Sequence, residues 1–186
     1  MRILISDTSC LIDLRKVSLL EVFVQLPYDF VIPDVLFEQE LVQFSNAEKE
    51  LIKKKSRVLS MPGEWIGRVQ SVNRDYPALT LNDCFAFVLA EQTPNCILMT
   101  GDRSLRDLRK VYGVALPPVK LCKKATSSGI EVHGVLWGID EMYSTQVATV
   151  NQLYSALLLF KKDSTVRLPA YDLNRWIERY QSLLNI

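Results

Sequence analysis

The chain opens on an unbroken apolar run, Ile3-Leu4-Ile5, closed by Ser6-Asp7-Thr8-Ser9, after which Leu11, Ile12 and Leu14 fall at helical spacing. An apolar run, a polar turn and then a 3.6-residue period predict strand, turn and helix. The pattern returns at Phe30-Val31-Ile32, which stops at Pro33-Asp34 and passes into a helical stretch over 35–44, followed by a charged segment over 47–55. A short strand over 58–61 and a helix over 65–74 come next, before Pro77 resets the chain. Thr80-Leu81-Asn82-Asp83 has the spacing of a capping box, with Phe85, Val88 and Leu89 on the buried face of the helix it opens. A further apolar run, Cys96-Ile97-Leu98-Met99, is closed by Thr100-Gly101-Asp102, and Leu105, Leu108 and Tyr112 mark the helix after it. A last strand is predicted over 130–135. The uncharged stretch 142–160 reads as one buried amphipathic helix, because Ser144, Gln146, Asn151 and Gln152 would be costly in lipid. Leu173, Trp176, Ile177, Tyr180 and Leu184 mark a final helix.

Unbroken apolar strands separated by helices predict a three-layer α/β/α sandwich around a central, mostly parallel sheet. Residues 1–145 make the main domain. Within it, 115–129 breaks the rhythm with Pro117-Pro118 and Lys120, Lys123 and Lys124, and reads as an inserted loop. Residues 146–186 form a helical extension, packed on the domain or at a dimer interface.

Composition narrows the chemistry. The 186 residues are 48% hydrophobic and 23% charged, which excludes disorder, and 22 basic against 21 acidic residues leave a net +1, so attraction to a polyanion has to come from local clustering. Cys10, Cys84, Cys96 and Cys122 lack the paired short spacing of a zinc site and suit a reducing compartment. His133 is the single histidine, which excludes a His-based metal site or a Ser-His-Asp hydrolase. No secretory signal precedes the first strand, so a cytoplasmic protein without membrane attachment is expected.

The acids carry the most information. Asp7 and Asp102 each lie just past the carboxyl end of a strand, and Asp83 lies in the first turn of a helix. Ligands of open parallel sheets bind at those strand ends. Carboxylates gathered there repel one another by several kcal/mol at intermediate dielectric, which calls for a divalent cation. Oxygen ligands alone favour Mg2+ or Mn2+. Glu38 and Glu40 compete for a fourth place, and two residues apart on a helix they point in nearly opposite directions. Glu40 shares an arc with Leu36, Phe37, Leu41 and Phe44, whereas Glu38 does not, so Glu40 is preferred. Taken singly, Asp7, Asp83 and Asp102 also suit plain helix capping. Arg103, Arg106, Arg109 and Lys110 follow Asp102 and offer a basic rim, while Lys53-Lys54-Lys55 reads as a solvated helix face. His133 is expected to cap a backbone group or face solvent, and Trp65, Trp137 and Trp176 to be core or interface.

In order and spacing, the 5–9 segment, Ile32-Pro33 through Glu40-Leu41, 79–83, 98–105 and Gly134-Val135-Leu136-Trp137 resemble the PIN-domain nucleases, and within them the VapC-like toxins and related prokaryotic proteins. The resemblance implies an α/β/α fold in which Asp7, Glu40, Asp83 and Asp102 hold Mg2+ or Mn2+ and cut RNA. It also implies secondary contacts from Thr8, Ser9 and Thr100, an antitoxin partner covering the crevice, and a homodimer. The 115–129 segment and the Glu38 alternative depart from the family pattern. Two rivals remain: a catalytically silent RNA- or protein-binding module on the same fold, and an aspartate-based phosphatase or receiver domain. The phosphatase motif requires a second Asp where Ser9 stands.

Overall fold

The computed structural model describes residues 2–101 and 130–184, so Asp102, the arginine run after it with its expected helix, and the 115–129 segment lie outside the described residues. Strand β1 (Ile3–Ser6) feeds α1 (Thr8–Lys16) and α2 (Leu20–Phe23). Strand β2 (Asp29–Pro33) feeds α3 (Asp34–Glu40), a 3-10 turn (Leu41–Gln43) and α4 (Asn46–Lys55). Strand β3 (Ser56–Leu59) leads to α5 (Gly63–Asp75), α6 (Leu81–Glu91) and β4 (Ile97–Met99). Beyond the segment not described come β5 (Glu131–His133), α7 (Val135–Ser144), α8 (Val150–Lys162) and α9 (Ala170–Leu184).

The five described strands form one parallel sheet in the order β3-β2-β1-β4-β5, the centre of the expected α/β/α architecture. In register, Ile5 lies between Val31 and Leu98. Leu4, Ile5 and Ile97 have no exposed surface, because helices cover both faces of the sheet. The order runs outward from β1 to β2 and β3, then jumps back to the other side of β1 for β4. Right-handed crossovers therefore send α1 to α4 over one face and α5 and α6 over the other. The direction reverses between β1 and β4, the place at which open parallel sheets carry their ligand crevice.

Three expectations are corrected. The stretch 142–160 is two helices, since α7 ends at Ser144 and α8 begins at Val150. Between them Gln146 adopts a left-handed backbone (φ 58°), and Thr149 and Gln152 close a capping box in which the Thr149 N–H donates to Gln152 Oε1 at 2.9 Å. The uncharged composition concealed a helix stop and a helix start. The last strand is shorter than expected, with Val135 beginning α7. His133 neither caps backbone nor simply faces water; it stacks on Trp137, with ring centroids 4.5 Å apart, and pairs with Glu131. In α9, Leu173, Ile177 and Tyr180 are buried within this chain, and the Tyr180 hydroxyl donates to Asp140 on α7 at 2.9 Å. No helix among the described residues is long and apolar enough to cross a membrane.

Candidate active site at the carboxyl end of the sheet

The buried polar or charged residues among those described are Ser6, Asp7, Thr8 and Thr100, all at the point where strand order reverses. Polar atoms survive burial only when hydrogen-bonded, so this concentration has to be matched by local partners. Asp7, 4% exposed, has the extended backbone of an N-cap (φ −69°, ψ 146°) and its Oδ1 accepts from the Ser9 N–H at 2.8 Å. Its Oδ2 accepts from Ser9 Oγ at 2.9 Å and from Thr100 Oγ1 at the end of β4. The capping role expected for Asp7 is therefore real and worth about 1 kcal/mol. The same carboxylate is also pinned between two strand ends, which a cap does not require.

Gly101 closes this arrangement by donating its N–H to Ser9 Oγ at 2.8 Å. A Cβ at this position would stand 2.8 Å from that same oxygen, so any larger residue would have to displace the Ser9 hydroxyl. The Asp13 carboxylate lies 3.9 Å from the same point. Burial lifts its carboxyl above the ordinary value, against the pull of Lys16, whose Nζ is 3.5 Å away.

Glu40 is the last residue of α3 and is half-buried, whereas Glu38 is exposed. Thr8 Oγ1 donates to Glu40 Oε2, and Asn82 Nδ2 on α6 donates to Oε1 at 2.6 Å. Burial above all raises the Glu40 carboxyl over its usual range; the Asn82 amide pulls it down, and the charges of Asp7 and Asp83 push it up again. Asp83 occupies the third position of α6, where its Oδ2 accepts from the Thr80 N–H at 2.8 Å and its own N–H donates to Thr80 Oγ1 at 3.1 Å. The expected capping box is present, and the charge within it still reaches Glu40.

The structure thus brings Asp7, Glu40, Ser9 and Thr100 together and places Asp83 beside them, tied to its own helix start. Asp102, Arg103 and Arg106 lie outside the described residues. Among the described residues no group of three or more acids, histidines or cysteines is tight enough to hold a metal ion. The donor chemistry nevertheless suits a hard divalent cation: the acids offer only oxygen, and Glu40 feels like charge from two sides with no cationic side chain on it among the described residues. Asn82 and Asp13 were not anticipated from sequence as part of this pocket. The position of Asn82 inside the 80–83 motif was the available signal, but its partner lies 42 residues away. Cys10 and Cys84, next to the acids in sequence, are buried packers, and burial raises the Cys84 thiol away from reactivity.

A family model described as a PIN domain (DUF3368) matches residues 3–116, more than half of the chain and a span that contains Asp7, Glu40, Asp83 and Asp102. No curated protein and no solved structure matches the chain. The parallel sheet and its reversal at β1 and β4 agree with the nuclease-type fold of that family. The chain belongs to the PIN-domain family.

Proposed function

We propose that the chain is a metal-dependent endoribonuclease that hydrolyses RNA phosphodiester bonds and serves as the toxin of a toxin–antitoxin pair. The observation that carries this reading is the meeting of Asp7 and Glu40 at the crevice of a PIN fold, oriented by hydroxyl and amide donors. Asp7, Glu40, Asp83 and Asp102 hold Mg2+ or Mn2+. When bound, such a cation lowers the pKa of a water and offsets charge on the phosphate and the leaving oxygen. Ser9 and Thr100 keep the Asp7 carboxylate fixed between the ends of β1 and β4. Arg103 and Arg106, continued by Arg109 and Lys110, neutralise the RNA backbone, which makes binding fall steeply with salt. A short antitoxin over the acidic crevice and a second copy of the chain are the partners in this reading, and the cytoplasm is its setting.

Cleavage of single-stranded RNA by wild type and Asp7→Asn, with Mn2+, Mg2+ or a chelator, tests the proposal. It expects metal-dependent cleavage by wild type alone. Cleavage by both proteins, or by neither with either metal, contradicts it. One observation favours the silent binding module as a second reading, namely that Asp83 is satisfied by its own capping box. RNA binding by wild type without cleavage selects that reading.

A further inference from the structure

Glu40 is the last residue of α3, followed at once by the 3-10 turn over Leu41–Gln43, and its long side chain is half-buried. Ordering a glutamate costs rotamer entropy, and this one is ordered against burial. Both carboxylate oxygens are nonetheless engaged, Oε2 by Thr8 and Oε1 by Asn82 Nδ2 at 2.6 Å. We propose that Asn82 is a positioning residue, a neutral clamp that fixes the Glu40 carboxylate in the crevice while leaving its charge available to a cation. The inference rests on the metal-dependent reading above and deepens it.

Three features support the clamp. First, the amide has only one workable orientation: flipping it would set Asn82 Oδ1 against a carboxylate oxygen, two acceptors in contact. Second, Asn82 stands inside the Thr80–Asp83 capping box, closed by bonds of 2.8 and 3.1 Å, so the backbone that aims the amide is itself held. Third, the same helix shows the alternative. At its far end Glu91 takes both oxygens to Arg68, at 2.7 Å each, a pairing that holds a carboxylate equally well but neutralises it. A guanidinium or ammonium at position 82 would compete with any metal ion for Glu40. The short amide supplies direction without charge.

The test compares wild type with Asn82→Leu, which keeps the side chain's approximate shape without its donor, and with Asn82→Ala. Mn2+ affinity is measured by titration calorimetry, and kcat and KM on single-stranded RNA are measured beside it. The clamp predicts that both variants fold, bind Mn2+ about 10–100-fold more weakly, and lose kcat with little change in KM. A residue that only packs would be rescued by leucine. Crystals of metal-free wild type and Asn82→Leu read Glu40 directly, and its carboxylate should leave the wild-type position in the variant. An unmoved carboxylate, or wild-type Mn2+ affinity in Asn82→Leu, overturns the proposal. If wild type binds no Mn2+, the metal-dependent reading fails, and the crystal comparison still decides whether Asn82 holds Glu40.

Discussion

Helix α6 meets a glutamate at each end, and the two are treated in opposite ways. At its last residue, Glu91 is 9% exposed and clasped by both forks of the Arg68 guanidinium. At its second residue, Asn82 meets Glu40, a half-buried carboxylate whose described partners are an amide and a hydroxyl and whose charged neighbours, Asp7 and Asp83, are of its own sign. A carboxylate that serves the fold is neutralised. In the proposed function, one kept for chemistry is oriented and left under repulsion, at a cost to the stability of the metal-free protein.

The sharpest way to break this contrast is Glu40→Gln. RNA cleavage should fall to background while the metal-free protein stays folded with an unchanged or higher Tm, measured by calorimetry beside the cleavage assay. A large loss of stability would make Glu40 structural. The converse change, Arg68→Ala, leaves the part-buried Glu91 carboxylate without its guanidinium and should cost about 1–2 kcal/mol. For a chain of this size that is roughly 2–8 °C in Tm. Cleavage measured well below the new Tm should survive. If activity instead disappears in a folded Arg68→Ala protein, the two ends of α6 do not divide labour as described.

Smaller effects sharpen the picture. Thr100→Val removes the β4 hydroxyl from Asp7 and should weaken Mn2+ binding or activity by about 10–100-fold, because an oriented ligand loses its outer partner. An equal loss in Thr100→Ser would show that packing, rather than the hydroxyl, matters there. The smallest effect is in pH dependence. Glu40 is raised in the folded state, so the folded protein takes up this proton before the unfolded chain does. In the window between the raised value and the ordinary 4.5, stability should therefore rise as pH falls. Asp13 acts in the same direction, so the comparison is between wild type and Glu40→Gln, in which the Asp13 contribution cancels. The stability advantage of Glu40→Gln over wild type should shrink on acidification; an advantage that grows would give Glu40 the opposite shift.

Much of the fold, and the place of Glu40, could be read from sequence. The runs Ile3-Leu4-Ile5 and Cys96-Ile97-Leu98-Met99 announced buried parallel strands because both faces of the sheet are covered, and their polar ends announced the crevice. The helical arc that set Glu40 apart from Glu38 agrees with the exposure of Glu38 and the burial of Glu40. Residues 142–160 misled because a left-handed Gln146 and an uncharged capping box leave no mark on hydropathy. Asn82 and Arg68 escaped for a different reason. Their roles exist only in bonds to residues 42 and 23 positions away, and no local pattern encodes which helix end will face which.

The central claim is that the acids at the reversal of the sheet hold a divalent cation. Titrating Mn2+ into metal-free wild type and Asp7→Asn, with folding of both checked by circular dichroism, tests it most directly. The account predicts saturable binding by wild type that Asp7→Asn loses; binding of equal affinity in the variant would contradict it.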